Sequence, residues 1–281
     1  MFSNLIKYFR WHIQLLDRVF LGITDRVTGG LLCILANFRQ LFIGANMVSF
    51  QKGLEDGIYL ATSDGQKRYF SERSRNIRIY SKSLKYRAKK LGEDYFLPNI
   101  KFKPNDLVID CGANVGDLKL WFDMNSAEVN YIGIEPSPIE FRCLEKNVHP
   151  SKVYNCGLYY KDDTINFYVS SKGADSSFIE PVSYTGIKKI PVRRLDELID
   201  SPVRLLKLEA EGAEPEVIMG AINLLKRIDY ISADLGFERG LSQGSTLVDV
   251  TNFLYQNGFT LIDFNRRMVA LYRRNDINVE P

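Results

Sequence analysis

Several residue types and motifs that would assign a function directly are missing from this chain of 281 residues. Histidine occurs only as His12 and His149, so a histidine-rich metal site is excluded. The four cysteines, at positions 33, 111, 143 and 156, form no CxxC pair, which predicts buried, reduced thiols. The chain contains no GxxxxGK followed by Ser or Thr, and no GxGxxG. These absences argue against a nucleotide hydrolase and a nicotinamide dehydrogenase.

The N-terminal region lacks a long apolar run. Its longest uncharged stretch, residues 27–38, has 12 residues, whereas a membrane-spanning helix needs roughly 20. The start MFSNLIKYFRWH is interrupted by charge and has no apolar centre of the kind a secretory signal has. Apolar residues instead recur at spacings of three and four, which predicts helices over residues 1–46. We expect a cytoplasmic protein whose N-terminal helices cover the core, contact a second subunit or lie on a membrane surface.

Charge is distributed unevenly along the chain. Residues 1–100 contain 16 Lys and Arg against 8 Asp and Glu, whereas residues 101–281 contain 21 against 26. The basic front part is suited to contact with an anionic partner, such as a phosphorylated or membrane-bound carrier. The acidic remainder does not resemble a nucleic-acid surface, and no NPPY-type or PC-type catalytic block of nucleic-acid methylation occurs. We therefore expect no nucleic-acid partner.

The stretch LVIDCGANVG at residues 107–116 is the most informative part of the sequence. Its apolar start predicts a strand buried on both faces of a parallel sheet, which Asp110 closes. Gly112, Asn114 and Gly116 then predict a tight turn into a helix, with backbone N–H groups available to a ligand. A carboxylate before such a loop repels phosphate and attracts an ammonium group. This favours the amino-acid part of S-adenosylmethionine (SAM) over a dinucleotide.

A second carboxylate supports this interpretation. Glu135 follows the next short apolar strand, 25 residues after Asp110. An acidic residue about 20 residues beyond the glycine loop is where a doubly wound sheet places its acceptor for ribose hydroxyls. The pair therefore predicts a nucleoside-containing cofactor.

From residue 107 onward, predicted strands and helices alternate, which indicates a parallel sheet with helices on both faces. Two strands near the C-terminus, joined by a short polar turn at residues 265–267, predict a hairpin. A mostly parallel sheet with a C-terminal antiparallel strand is the Rossmann-like arrangement of class I SAM-dependent methyltransferases. We predict a helical extension over residues 1–66 and a methyltransferase domain over residues 67–281, with its core at 104–275. Within the basic segment, residues 76–80 predict a strand and residues 84–91 a helix; residues 164–170 predict a strand paired with the segment before it.

Methyl transfer to a hydroxyl requires alignment and a group that takes the proton. Since neither histidine lies near the end of a core strand, a carboxylate is the better candidate. Glu209 and Glu211 follow the fourth predicted strand and Asp234 the fifth, at the edge where ligands bind in open α/β sheets. One of the three acts as the base, or the group holds a divalent metal ion. The alternative for Glu211 and Glu214 is helix capping.

Several blocks, in order, resemble the FkbM-type methyltransferase family: VIDCGANVGD, YIGIEPSP, VRRLDEL, LLKLEAEGAEPEVIMGA and a late GF…LIDF…R. The resemblance covers residues 100–275. The block KLEAEGAE, which starts at Lys207, is similar to the family's KIDVEGAE, with Glu209 where the family usually has Asp.

The resemblance implies a SAM-dependent O-methyltransferase that acts on hydroxyls of sugars, glycans or natural products. By analogy, Asp110, Gly112, Asn114 and Gly116 hold the methionine part and Glu135 the ribose, while Cys156 and Gly157 line the adenine. The partners it implies are a small-molecule or glycan acceptor, with peripheral membrane contact and a homo-oligomer left open. The alternative is a catalytically degenerate methyltransferase fold that serves as a binding protein in a membrane or glycan-assembly complex.

Overall fold

The computed structural model describes residues 20, 22–23, 26–43, 48–71, 74–170 and 176–277. The chain divides into two compact units, Met1–Arg87 and Ala88–Pro281. The amphipathic pattern predicted in the first 19 residues lies outside the described residues. Within the described part of the chain, no helix has both the length and the apolar character needed to cross a membrane.

The first unit combines helices with a small antiparallel sheet. In chain order its elements are α1 (Gly29–Ile43), β1 (Ser49–Lys52), β2 (Ile58–Ser63), β3 (Gln66–Ser71) and α2 (Ser74–Tyr80). The strands form a meander in the order β1-β2-β3. The side chain of Asn37 fixes α1 to β1, because its Oδ1 accepts from the Phe50 N–H at 2.7 Å and its Nδ2 donates to the Phe50 carbonyl at 2.9 Å.

Three predictions for this part of the chain are wrong. The proposed boundary between residues 66 and 67 would cut the β2–β3 hairpin, in which Ser63 pairs with Gln66. The region before it is also not purely helical, since β1 and β2 lie there. Residues 76–80 belong to a helix and not to a strand. Ile77 and Tyr80 are buried at a spacing of three, which is the period of a helix face.

Helix α3 (Leu84–Asp94), which was predicted over residues 84–91, contains the boundary between the two units at residues 87 and 88. The second unit then forms a seven-stranded sheet. The sheet has the order β12-β13-β11-β10-β4-β5-β6. Its members are β4 (Leu107–Cys111), β5 (Asn130–Ile134), β6 (Lys152–Tyr154), β10 (Val203–Leu208), β11 (Ile228–Asp234), β12 (Phe259–Phe264) and β13 (Val269–Arg274). Neighbours from β6 to β11 are parallel, whereas β13 is antiparallel to both β11 and β12. The predicted C-terminal hairpin and mostly parallel sheet are confirmed, and the fold is the Rossmann-like class I arrangement.

Helices cover both faces of this sheet, which explains why its central strands are apolar at successive positions. In chain order they are α4 (Asp117–Met124), α5 (Pro138–Val148), α6 (Leu195–Leu198), α7 (Glu214–Met219) and α8 (Leu247–Gln256). In β4, Ile109 packs in one core with Val217 of α7, while Val108 packs in the other core with Leu118 of α4. All four cysteines are free and buried, as predicted from their spacing.

A second, three-stranded sheet lies within the same unit. It contains β7 (Gly157–Leu158), β9 (Gly186–Arg193) and β8 (Asp163–Val169), in the order β7-β9-β8. The predicted strand at 164–170 exists, but it pairs with the later strand β9 and not with the segment before it. This sheet matters for function because Phe167, on β8, faces the cavity described next.

Candidate functional site

A cavity lies at the carboxyl ends of β4, β5 and β10, the edge at which open α/β sheets bind ligands. Its wall includes seven of the ten predicted site residues: Gly112, Asn114, Glu135, Cys156, Gly157, Glu209 and Glu211. Asp110, Gly116 and Asp234 are not part of the wall. The sheet therefore brings most of the predicted residues together, but their surroundings differ enough to separate their roles.

The loop after β4 packs against the C-terminal end of β10. Gly112 has a positive φ of 69°, and a Cβ there would lie 2.0 Å from the Glu209 carbonyl oxygen. Asn114 also has a positive φ, and it lines the cavity. Gly116 has another role: a Cβ there would meet Val148 at 2.6 Å, so this glycine lets α4 begin against α5. Only the first half of the glycine loop reaches the cavity.

Glu135 is held by backbone donors from two different loops. The Asn114 N–H donates to its Oε2 and the Ser137 N–H to its Oε1, each at 2.8 Å. The residue is 6% exposed, and burial raises its pKa to about 8 against the lowering effect of these donors, with Glu140 adding to the rise. Each oxygen keeps a second lone pair, so the carboxyl group can still accept hydrogen bonds from a ligand hydroxyl.

Asp110 is turned away from the cavity. It is 1% exposed; its Oδ2 accepts from the Tyr131 hydroxyl at 2.6 Å, and its Oδ1 lies 3.1 Å from Lys207 Nζ. Burial raises the pKa of Asp110, and Lys207 opposes that rise. Asp110 therefore lies buried outside the cavity wall, and its direct contact with a bound ligand stays a prediction.

Lys207 connects the strand ends. Its Nζ donates to the carbonyl oxygens of Cys111 at 3.1 Å and Gly112 at 2.8 Å, and it lies 3.0 Å from Glu209 Oε2. Its side chain is 4% exposed. Burial alone would lower the pKa of Lys207, but Asp110 and Glu209 raise it above its ordinary value, so the group is an ammonium ion. This lysine fixes the glycine loop to the end of β10.

Glu209 is partly open to solvent, with 34% of its side chain exposed. Its Oε2 accepts from the Tyr95 hydroxyl at 2.8 Å. Burial alone would raise the pKa of Glu209, but Lys207 and Tyr95 together hold it below its ordinary value. Because an anion stabilised in this way is a weak base, Glu209 is poorly suited to take a proton from a hydroxyl group.

The turn after β10 is organised by Glu214. Its Oε1 accepts from the N–H groups of Ala210 at 2.9 Å and Gly212 at 3.1 Å, and its Oε2 accepts from the Thr246 hydroxyl at 2.9 Å. Glu214 is 1% exposed and holds the turn that precedes α7, but α7 has no side-chain cap, so the capping alternative is not confirmed. Glu211 has a positive φ of 50° and lines the cavity, and its carbonyl oxygen accepts from the Ser177 hydroxyl at 2.7 Å.

Asp234 lies at the end of β11 beside a second acidic residue, Glu238. A Cβ on Gly236 would lie 3.4 Å from Asp234 Oδ1 and 3.7 Å from Glu238 Oε1, so both carboxyl groups flank this glycine. Burial and the charge of Glu209 raise the pKa of Asp234 to about 6. Partial desolvation and the charge of Asp234 raise the pKa of Glu238 to about 7, although this residue is exposed at the surface. Among the described residues, no group of three or more His, Cys, Asp and Glu side chains could hold a metal ion.

An apolar wall faces these polar groups. Cys156 and Gly157 line it together with two aromatic rings, those of Phe167 and Phe178, whose centroids are 4.8 Å apart. A Cβ on Gly157 would lie 2.2 Å from the Phe178 ring, so glycine is needed for the ring to reach this position. The slot beside the two rings is apolar, which suits a purine base.

Sequence reasoning missed several residues of the site. Lys207 belongs to the KLEAEGAE block, but the sequence analysis assigns it no role. A lysine inside an apolar strand nevertheless indicates a buried charge that needs partners. Glu238 was missed, since it follows β11 by four residues with no motif around it. For Phe178 and Tyr95 the sequence contains no signal, because their contacts join elements far apart in the chain.

Three known proteins that this chain resembles are each named as a methyltransferase. Methyltransferase 1 of Beauveria bassiana (strain ARSEF 2860) is 24% identical over 148 residues, which cover 42% of this chain and 59% of that protein. The crystal structure of methyltransferase FkbM from Methylobacillus flagellatus KT superposes with a TM-score of 0.47 at 17% identity, covering 71% of this chain and 53% of that one. A SAM-dependent methyltransferase from Aquifex aeolicus gives 0.40 at 12% identity, covering 68% and 95%.

The chain thus spans between half and three fifths of the length of the first two relatives. The family model described as the methyltransferase FkbM domain matches residues 110–261, which is more than half of the chain and includes the cavity-lining loops after β4, β5 and β10. This chain therefore belongs to the FkbM methyltransferase family.

Proposed function

We propose that the protein is a SAM-dependent methyltransferase that transfers a methyl group to a hydroxyl of a sugar, glycan or natural product. The observation that carries the proposal is the composition of the cavity. It has a glycine turn and the Glu135 carboxyl group on one side, and an apolar slot beside Phe167 and Phe178 on the other. Family membership agrees with this chemistry.

The residues present fit the chemical groups of SAM. When bound, SAM supplies an electrophilic methyl group on a sulfonium ion. Gly112 lets the loop that lines the cavity lie against the end of β10, because a Cβ there would meet the Glu209 carbonyl oxygen and because its φ is positive. Glu135 accepts from the ribose hydroxyls, and the slot at Gly157 encloses the adenine. These contacts orient the ligand, which is the main requirement of an in-line displacement.

The proton of the acceptor hydroxyl needs a base. Asp234 and Glu238, with pKa values raised to about 6 and about 7, are better matched to this task near neutral pH than Glu209, whose pKa is lowered. We assign the role to the Asp234–Glu238 pair. No step through a metal ion is proposed.

Isothermal titration with S-adenosylhomocysteine tests the cofactor. We expect binding that is tighter than that of NADH, and a loss in Glu135→Ala because each hydrogen bond to the ribose contributes about 0.5–1.5 kcal/mol when the carboxyl group is neutral. Glu145→Ala, on the exposed side of α5, is the matched control and should bind normally. Tighter binding of NADH, or unchanged affinity in Glu135→Ala, would contradict the proposal.

Methyl transfer is tested with pairs of acceptors that differ by one hydroxyl group. Formation of S-adenosylhomocysteine should depend on the hydroxylated member of a pair, and the methyl group should be recovered on oxygen. Transfer to nitrogen or carbon, or to nucleic acid, would show that the acceptor class is wrong. Asp234→Asn should lower the rate by roughly 10²–10⁴-fold if it removes the base.

A further inference from the structure

The two carboxyl groups nearest the glycine loop differ in what they can offer a ligand. The Oδ2 of Asp110 accepts from the Tyr131 hydroxyl, its Oδ1 forms an ion pair with Lys207 at 3.1 Å without a hydrogen bond, and the residue is 1% exposed. Because Asp110 is also not part of the cavity wall, a ligand in the cavity does not meet this carboxylate directly. Asp110 therefore acts on the site through Lys207 and not by contact.

Glu209 has the opposite character. Tyr95 and Lys207 both engage Oε2, so within the described part of the chain Oε1 accepts no hydrogen bond. The side chain is 34% exposed and lines the cavity. Its carbonyl group also lies where Gly112 bends, since a Cβ on Gly112 would be 2.0 Å from that oxygen. Glu209 thus presents one free carboxylate oxygen beside the glycine loop.

We infer that Glu209, and not Asp110, is the carboxylate that binds the ammonium group of the cofactor's amino-acid part. This assignment rests on the proposed function, because it requires SAM or its demethylated product in the cavity. It removes Glu209 from the candidates for the catalytic base and makes it a cofactor-binding residue.

The charge of the cluster supports the assignment. With both carboxyl groups ionised, Asp110, Lys207 and Glu209 together carry a net charge of −1, and Lys207 Nζ lies 3.1 Å from Asp110 Oδ1 and 3.0 Å from Glu209 Oε2. The pKa of Asp110 is raised by burial, whereas that of Glu209 is held low by Lys207 and Tyr95, so the negative charge is concentrated on Glu209. A ligand ammonium at the free oxygen completes the pairing of two anions with two cations.

The test separates the ammonium group from the rest of the ligand. The affinities of S-adenosylhomocysteine and of its deaminated analogue are measured by isothermal titration in the wild type, Glu209→Gln and Glu209→Asp. In the wild type the ammonium group should improve affinity by about 10- to 100-fold. In Glu209→Gln this ratio should fall close to one, through a loss for S-adenosylhomocysteine alone. Glu209→Asp, which keeps the charge, should retain part of the ratio.

Two further variants complete the design. Glu145→Gln, an exposed carboxylate on α5, should keep the wild-type ratio. Asp110→Asn should lower both affinities together if it only disturbs the loop. A ratio preserved in Glu209→Gln, or lost in Asp110→Asn alone, would overturn the inference. If the wild type binds neither ligand, the proposed function itself fails, which is a distinguishable result.

Discussion

Replacing Lys207 by methionine should destabilise the protein strongly and in a pH-dependent way. The substitution keeps the volume but removes an ammonium group that contacts Asp110 at 3.1 Å, Glu209 at 3.0 Å and the carbonyl oxygens of the loop after β4. Removing one partner of a buried ion pair costs about 3–5 kcal/mol, because the other charge stays buried without compensation. Such a loss is a large share of the 5–15 kcal/mol by which domains are typically stable.

The direction of the pH dependence follows from Asp110. Lys207 lowers the pKa of this carboxyl group, whereas burial raises it, so removing Lys207 raises the pKa further. A carboxyl group with a raised pKa in the folded state destabilises that state once pH exceeds its pKa in the unfolded chain, roughly 3.9. The destabilisation then grows by about 1.4 kcal/mol per pH unit until the folded-state pKa is reached. The variant should therefore be closest to the wild type in acid.

Urea unfolding of Lys207→Met and wild type at about pH 5 and about pH 8 measures this effect. The control is Lys89→Met, which removes a lysine whose side chain is 75% exposed and 3.8 Å from Glu93. Surface changes of this kind stay within about 0.5 kcal/mol. Adding Asp110→Asn to Lys207→Met should restore part of the stability, since the fully buried carboxylate that lost its partner is then neutral and only the partly exposed Glu209 remains unpaired. A loss below about 1 kcal/mol, or one independent of pH, would refute the reasoning.

Three further predictions concern the cavity wall. Because the pKa of Glu135 is raised to about 8, the wild type should become less stable as pH rises from about 4.5 to 8. Urea unfolding of Glu135→Gln should show a free energy of unfolding that depends less on pH. Parallel pH dependences in the variant and the wild type would exclude this effect. In Asp234→Asn, carbon NMR of the carboxyl groups should show the pKa of Glu238 below its value of about 7, because one repelling charge is gone; an unchanged titration would show that the two are independent. In Gly157→Ala the new Cβ would lie 2.2 Å from the Phe178 ring, so the ring should shift and the melting temperature should fall, since overpacking costs about 1–3 kcal/mol. The control Gly186→Ala, whose Cβ would meet nothing within 4 Å, should keep the wild-type melting temperature.

The sequence was most informative where a local rule acts alone. The predicted alternation of strands and helices after residue 107 is present, and helix α5 has a proline at its start, where a missing N–H is harmless. The strands β4, β5 and β10 were identified because burial on both faces makes them continuously apolar. The strand predicted at residues 76–80 is wrong for the opposite reason. Five residues whose polarity alternates also place two apolar side chains three positions apart, on one face of a helix.

The roles of the carboxyl groups, in contrast, are decided by partners that are distant in the chain. Tyr95 is 114 residues from Glu209, and Lys207 is 96 residues from Cys111. The spacing of acids at strand ends predicts that they share an edge of the sheet, and seven of the ten predicted residues do line one cavity. It contains no information on which acid contacts Lys207. The ammonium group of Lys207 pairs with the buried Asp110 and holds the pKa of Glu209 low, whereas burial and the charge of Glu209 raise the pKa of Asp234 to about 6. The charge of Lys207 acts on all three carboxyl groups. The substitutions at positions 207, 209 and 234 therefore test the same arrangement of charges.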